Sequence, residues 1–300
     1  IVTMSLYRFF CVLTIFLFIS CKNSNDSVKP NIVLFLVDDL GWQDTSVSFW
    51  DRETKFNRLY NTPNMEILAD MGVKFTNAYA TPVCSPSRIS LMTGINAARH
   101  RVTNWTLHPD VKKPAEINHN TFNFPNWNYN GLSVSDSIPN SVLATPLPQV
   151  LKENGYFTIH AGKAHLGAIG YPSSNPLNIG FDVNIAGHAA GAPQSYLGID
   201  NFGNNDLKNK IWAVPGLEKY HGQDIFLTEA LTLEILENLK EPIESKSPFF
   251  LYFSLYNVHT PLMQDNRFVE KYQNIGLESS EIKYASMTVS YTHLTLPTKA

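Results

Sequence analysis

The chain has 300 residues, 44% of them apolar, which is ample for a large buried core without disulfide or metal staples. Its 23 basic and 26 acidic residues give a formal charge of −3, with no basic block anywhere along the chain. Tracking a phosphate backbone needs such a block, so nucleic acid is excluded as a partner.

Residues 1–21 have the layout of a signal peptide. Met4 is the expected start, with residues 1–3 upstream of it untranslated. Arg8 supplies the basic region, residues 9–19 form an apolar run short for a membrane span, and small Ser20 precedes Cys21. A cysteine at the cleavage point is where a bacterial lipoprotein receives its diacyl group, so the chain is expected to be exported and held to a membrane by lipid on Cys21, in the periplasm or at the cell surface. Phe18 replaces the usual Leu of such a site, which leaves ordinary secretion or a short membrane anchor as the alternative. Of the three cysteines, Cys11 leaves with the signal and Cys21 carries lipid, so Cys84 stands alone in the mature domain and no intrachain disulfide can form.

Residues 22–30 are polar, end in Pro30 and read as a tether. The folded domain is expected over 31–288. It opens with an unbroken apolar run at 31–37, the pattern of a strand buried on both faces of a parallel sheet, which stops at Asp38-Asp39. Thr62-Pro63 caps a helix with Met65, Leu68 and Ala69 on one face, Gly72 stops it, and a strand is expected around 73–75. The same grammar returns at 147–154, with Gly155 as stop before a strand at 156–160, and at 224–240 before the apolar run 249–255. Alternation of helix and strand predicts an α/β fold with a mainly parallel central sheet flanked by helices. The aperiodic, polar and aromatic inserts 101–141 and 168–222 read as substrate loops, with Trp105, His108, Trp127, His188 and His221 as ligand contacts or ordinary loop residues. Residues 289–300 break the preceding helical pattern and match the translation of a sequencing-library adapter, so they are expected to be foreign to the protein, whose own sequence would continue beyond them.

Two features carry chemistry. Asp38-Asp39 lies at the carboxyl end of the first strand, where open α/β sheets collect ligands. Adjacent carboxylates repel unless a cation joins them, and hard oxygen donors select Ca²⁺ or Mg²⁺; the alternative is a solvated turn. Ser85-Pro86 should start a helix, placing Cys84 at its positive end and Arg88 one turn on, a seat for a tetrahedral oxyanion. A lone cysteine is otherwise more often buried and inert.

The segment Cys84-Ser85-Pro86-Ser87-Arg88, followed by Leu91-Met92-Thr93-Gly94, resembles the signature of the formylglycine-dependent sulfatases, members of the alkaline-phosphatase-like superfamily. The likeness continues at Gly162-Lys163-Ala164-His165-Leu166-Gly167, where the family usually has Trp in place of Ala164, and at Asn257-Val258-His259-Thr260-Pro261. This resemblance implies that a formylglycine-generating maturation enzyme oxidises Cys84 to the nucleophile, which also ligates the metal. Asp38 and Asp39 would hold that metal, Ca²⁺ in the first instance with Mg²⁺ as the substitute. Arg88 and Lys163 would steady the formylglycine and the sulfate oxygens. His165 would act as the base on the formylglycine hydrate and His259 would face the leaving oxygen, binding substrate with Lys163; the two histidine roles could be exchanged.

The family's Asp-Asn metal pair and a further sulfate-binding Lys have no counterpart before residue 289, so the chain is expected to be an amino-terminal fragment, inactive by itself. The implied substrate is a sulfated sugar or polysaccharide. Two rival readings remain open on sequence alone: a phosphate or phosphonate monoester hydrolase of the same superfamily, and a glycan-binding surface lipoprotein without turnover.

Overall fold

The computed structural model describes residues 28–112, 120–121 and 125–290; the signal and lipid-anchor expectations, most of the tether and residues 291–300 lie outside the described residues. The chain divides into units Ile1–Asn31 and Ile32–Ala300. In the first, the described residues 28–31 carry no regular secondary structure. The second runs β1 (Ile32–Leu36), α1 (Lys55–Leu59), α2 (Pro63–Met71), α3 (Cys84–Thr93), α4 (Ala97–His100), β2 (Gly131–Ser133), β3 (Ser141–Leu143), α5 (Leu147–Glu153), β4 (Phe157–Gly162), β5 (Val183–Ile185), α6 (Leu227–Asn238), α7 (Lys240–Glu244), β6 (Phe249–Ser254) and α8 (Ser279–Ser290), with short 3-10 turns in the inserts. Among the described residues, no helix is long and apolar enough to cross a membrane.

The main sheet has the order β1-β6-β4-β5, and every pairing in it is parallel, as the helix–strand alternation predicts. β6 is its axis because Phe-Phe-Leu-Tyr-Phe-Ser is apolar at consecutive positions and can be buried on both faces. Phe249, Leu251 and Phe253 join Leu227, Leu231 and Ile235 of α6 in one core. Phe250 and Tyr252 project to the other side, into a core with Ile89 and Met92 of α3. Helices therefore cover both faces. β2 and β3 form a separate parallel pair, Gly131 opposite Ser141.

Register sets the site. Leu36 of β1 and Gly162 of β4 both pair with Ser254 of β6, so three strands end level, and the segments after them emerge side by side. Gly162 is required there: its φ is +96°, and a Cβ would stand 1.9 Å from the carbonyl oxygen of Ser254.

Three local expectations differ from what is observed. β1 alternates instead of being buried on both faces, with Val33 45% and Phe35 39% exposed, because it forms the edge of the sheet and only Ile32, Leu34 and Leu36 face a core. Helix α2 forms between Thr62 and Gly72 as its capping residues dictate, yet Leu68 and Met71 are exposed rather than packed. Residues 73–75 make no strand; a strand exists only through a neighbour's ladder, and the described strands offer none there. At the other end α8 continues through Val289 and Ser290, both buried, with Val289 packed beside Tyr60 and Tyr272.

Replacement of Gly162 tests the register. Gly162→Ala is expected to cost about 2–4 kcal/mol of unfolding free energy through the clash and the positive φ, measured by urea denaturation; an unchanged midpoint would refute the close approach.

Candidate active site

The carboxyl edge of the sheet gathers the residues singled out by sequence. Asp38 and Asp39 follow β1, Lys163 and His165 follow β4, and His259 follows β6. The backbone stitches these ends together: Asp38 N–H donates to the Asn257 carbonyl at 2.7 Å, Val258 N–H to the Asp38 carbonyl at 2.6 Å, and Lys163 N–H to the Ser254 carbonyl at 2.7 Å.

Asp38 is the electrostatic centre. Arg88 Nη2 donates to its Oδ1 at 2.7 Å and Lys163 Nζ to its Oδ2 at 2.5 Å. Arg88 Nη1 also donates to the Lys163 carbonyl at 2.9 Å and to Ser254 Oγ at 2.5 Å. All three charged residues are buried, Lys163 completely. Burial pushes the Asp38 carboxyl up, but the Arg88 and Lys163 cations and their hydrogen bonds outweigh it and hold it below the usual carboxylate range. Burial likewise opposes the charge on Arg88, while Tyr252 and Asp38 restore it and leave its pKa raised. Two buried cations thus share one buried carboxylate. The surplus positive charge calls for an anion.

Cys84 is the first residue of α3, half-buried and free. The helix begins one residue earlier than Ser85-Pro86 suggested, with Val83 as N-cap and no side chain capping the first turn. Its N-terminal amides therefore have no side-chain acceptor of their own. Packing of Ile89 and Met92 against the sheet fixes the helix, and Arg88 reaches from it to Asp38.

Asp38, Asp39 and His259 each offer a ligand atom within 4.8 Å of the other two. Asp39 takes a left-handed φ of 57°, and its Oδ2 lies 3.7 Å from His259 Nε2, too long for a hydrogen bond. Two carboxylates and an imidazole fit a divalent cation, since each carboxylate oxygen engaged by Arg88 or Lys163 retains a second lone pair. The sulfur of Cys84 is not within this cluster.

The two histidines differ. His165 is buried, and burial first, then Lys163 and Arg88, drive its pKa well below the ordinary imidazole value, so it is neutral. Its Nε2–H donates to the Thr106 carbonyl at 2.8 Å, leaving Nδ1 as an unpartnered base. His259 is partly exposed; its Nδ1–H donates to the Thr260 carbonyl at 2.7 Å, which turns Nε2 toward Asp39.

The inserts do less at the site than their composition suggested. Trp127 is buried in the core with its indole N–H on the Lys112 carbonyl, and His221 packs edge-on against Phe202. Trp105 packs with Leu107 and Trp212, and His108 is exposed. His188 is half-buried, its pKa lowered to about 4 by desolvation, and its carbonyl receives the His165 N–H at 3.1 Å. Sequence reasoning missed the supports. Ser254 and Thr106 hold Arg88 and His165, Thr228 Oγ1 donates to Asn257 Oδ1, and Asn257 Nδ2 donates to the Met287 carbonyl. Ser254 had a signal, a lone hydroxyl closing an apolar strand; Thr106 had none.

Comparison with known proteins decides the family: the profile of the sulfatases matches residues 30–294. The chain belongs to the sulfatase family. This sulfatase is 31% identical to N-acetylgalactosamine-6-sulfatase of Mus musculus over 251 residues, covering 80% of the chain but 42% of that relative. It is 28% identical to arylsulfatase G of the same species, covering 81% and 44%. Among solved structures, Ps i-CgsB, also known in complex with k-i-k-neocarrahexaose, superposes with a TM-score of 0.61 at 26% identity, covering 89% of the chain and 53% of that protein. The sulfatase chain thus spans less than half the length of these curated relatives. Its Ala164, between Lys163 and His165, is fully buried.

Buried neutral histidines give this sulfatase a characteristic acid response. Burial lowers His160 to about 3 and His188 to about 4 from an ordinary 6.5, and lowers His165 as well. Each is a depressed group, so its stability contribution is complete above the unfolded value and is lost as the pH falls toward the folded value. Unfolding free energy is expected to decline from about pH 6.5 downward, each histidine adding at most about 1.4 kcal/mol per pH unit. Urea titrations between pH 7.5 and 4.5 measure this, and a flat profile would contradict it.

Proposed function

We propose that the protein is a sulfuric ester hydrolase that removes sulfate from a sulfated sugar or polysaccharide, with Cys84 as the precursor of a formylglycine nucleophile. The observation that carries this reading is the buried surplus of positive charge at Asp38, Arg88 and Lys163, placed at the carboxyl edge of the sheet and linked through Arg88 to the helix that begins at Cys84. A sulfate ester is an anion with equivalent oxygens, and fixed cations that need no reorganisation stabilise the charge that grows on those oxygens during transfer. The names of the relatives, an N-acetylgalactosamine-6-sulfatase and a protein crystallised with a neocarrahexaose, support a sugar substrate.

In this reading Arg88 and Lys163 bind and orient the sulfate. Asp38 and Asp39 would hold a divalent cation, Ca²⁺ or Mg²⁺, which would supply Lewis acidity when bound. The hydrate of a formylglycine at position 84, installed by a maturation enzyme, would supply the hydroxyl that attacks sulfur. His165, neutral with a free Nδ1, takes up a proton within the site, and His259 delivers one to the departing sugar oxygen. We further propose, from the sequence of residues 1–21, that the protein is exported and tethered through lipid on Cys21.

Co-expression of the full-length gene product with a formylglycine-generating enzyme tests the proposal. The tryptic peptide containing Cys84 should be lighter by the difference between CH₂SH and CHO. Sulfate should be released from aryl and sugar sulfates in preference to phosphate from aryl phosphate, and Cys84→Ala should lower kcat roughly 10⁴-fold or more. An unmodified thiol alongside a maturation enzyme active on a control peptide would overturn the mechanism in favour of a glycan-binding lipoprotein; preferred phosphate release would assign the phosphomonoesterase reading instead.

A further inference from the structure

The insert between β4 and α6, read from sequence as a substrate loop, sends one side chain under the His259 turn. The Tyr196 hydroxyl lies 2.6 Å from the carbonyl oxygen of Tyr256 and 2.8 Å from that of His259. Both partners can only accept, so the single phenolic hydrogen is shared between them and bridges the turn from its first residue to its histidine. Tyr196 is fully buried and cannot exchange this bond for water. Its ring is fixed by stacking on Phe226, centroids 5.4 Å apart and nearly coplanar at 12°, and its backbone N–H rests on Met263 Sδ at 3.2 Å. The same insert reaches this region at further points: Tyr256 Oη donates to the Ala186 carbonyl at 3.0 Å, the His188 carbonyl receives the His165 N–H, and Gly191 lies so close to the His165 ring that a Cβ there would stand 2.3 Å from it.

His259 needs such a support. Its side chain is partly exposed, and its ring meets the carbonyl and, at 3.4 Å, the hydroxyl of the adjacent Thr260, with a long approach to Asp39. Neither fixes the backbone from which the ring projects. Asn257 fixes the turn on one side, through Thr228 and the Met287 carbonyl; the His259 N–H closes it on the Tyr256 carbonyl at 3.1 Å, and Tyr196 bridges the carbonyls of the same two residues.

We infer that Tyr196 is a positioning residue for His259, holding the histidine where its Nε2 meets Asp39 and the leaving oxygen. The role in leaving-group departure rests on the sulfatase reading above; the positioning does not. Tyr196→Phe keeps the ring and its stack on Phe226 and removes only the bridging hydroxyl. Tyr272→Phe, which removes another buried phenol hydroxyl from a separate core, serves as the structural comparison.

Nitrogen-15 NMR of histidine-labelled, full-length protein reads the position without needing turnover. In Tyr196→Phe the His259 ring signals should shift or broaden while those of buried His160 and half-buried His188 stay in place, and Tyr272→Phe should leave all of them unchanged. Unmoved His259 signals in Tyr196→Phe, or equal movement in both variants, would overturn the inference. Kinetics add a second readout. Proton delivery matters most for poor leaving groups, so kcat/KM in Tyr196→Phe should fall about tenfold with an alkyl sugar sulfate and clearly less with an activated nitroaryl sulfate. An equal fall with both substrates, matched by Tyr272→Phe at equal loss of stability, would mark the residue as structural only. A wild-type protein that shows the NMR response but releases no sulfate would separate failure of the sulfatase reading from failure of this one.

Discussion

One buried carboxylate organises the site. Asp38 lies between a guanidinium and an ammonium, both out of contact with water, and each bond ties a different part of the chain to the end of β1: Arg88 comes from α3, Lys163 from the exit of β4. Placing three charges in a protein interior is costly, and removing one partner from such a group typically costs about 3–5 kcal/mol. The arrangement holds because the surrounding polar atoms are satisfied: Arg88 also meets Ser254 and the Lys163 carbonyl, while the strand register brings Leu36, Gly162 and Ser254 level. Asp38 is thus a structural counter-ion and a candidate metal ligand through the same two oxygens.

The surplus cation gives this cluster chemical meaning. Its buried members are two cations and one carboxylate, with the exposed Asp39 carboxylate beside Asp38. Helix α3 adds uncapped amides at Cys84, and His165 is kept neutral by burial and by the cations nearby.

Much of this was legible in the sequence because the chemistry is concentrated in short segments at strand ends. Asp38-Asp39, Gly162-Lys163-Ala164-His165 and Asn257-Val258-His259 each follow an apolar run, and parallel strands deliver such segments to one edge. The central strand was legible from the apolar run 249–255, and the start of α3 was placed within one residue by Ser85-Pro86. What sequence concealed was pairwise. The exposed alternation of β1 depends on its edge position, which an apolar run cannot reveal, and residues 73–75 have strand composition without a ladder to join. Ser254, Thr106, Tyr196 and Asn257 hold the site through bonds spanning many residues of chain, and nothing in their local patterns announces those partners. The aromatic and histidine residues of the inserts were the opposite case, suggestive by composition but mostly taken up in packing, as with Trp127.

The central claim, that the Arg88 and Lys163 cations form a sulfate seat rather than a closed ion triad, is tested most directly by calorimetric titration of the full-length protein with inorganic sulfate at fixed ionic strength. Wild type should bind sulfate, and Lys163→Met, similar in length but uncharged, should bind it at least about tenfold more weakly. Equal affinity in the two proteins, or none in the folded wild type, would show that Lys163 serves only to neutralise Asp38 and would contradict the account.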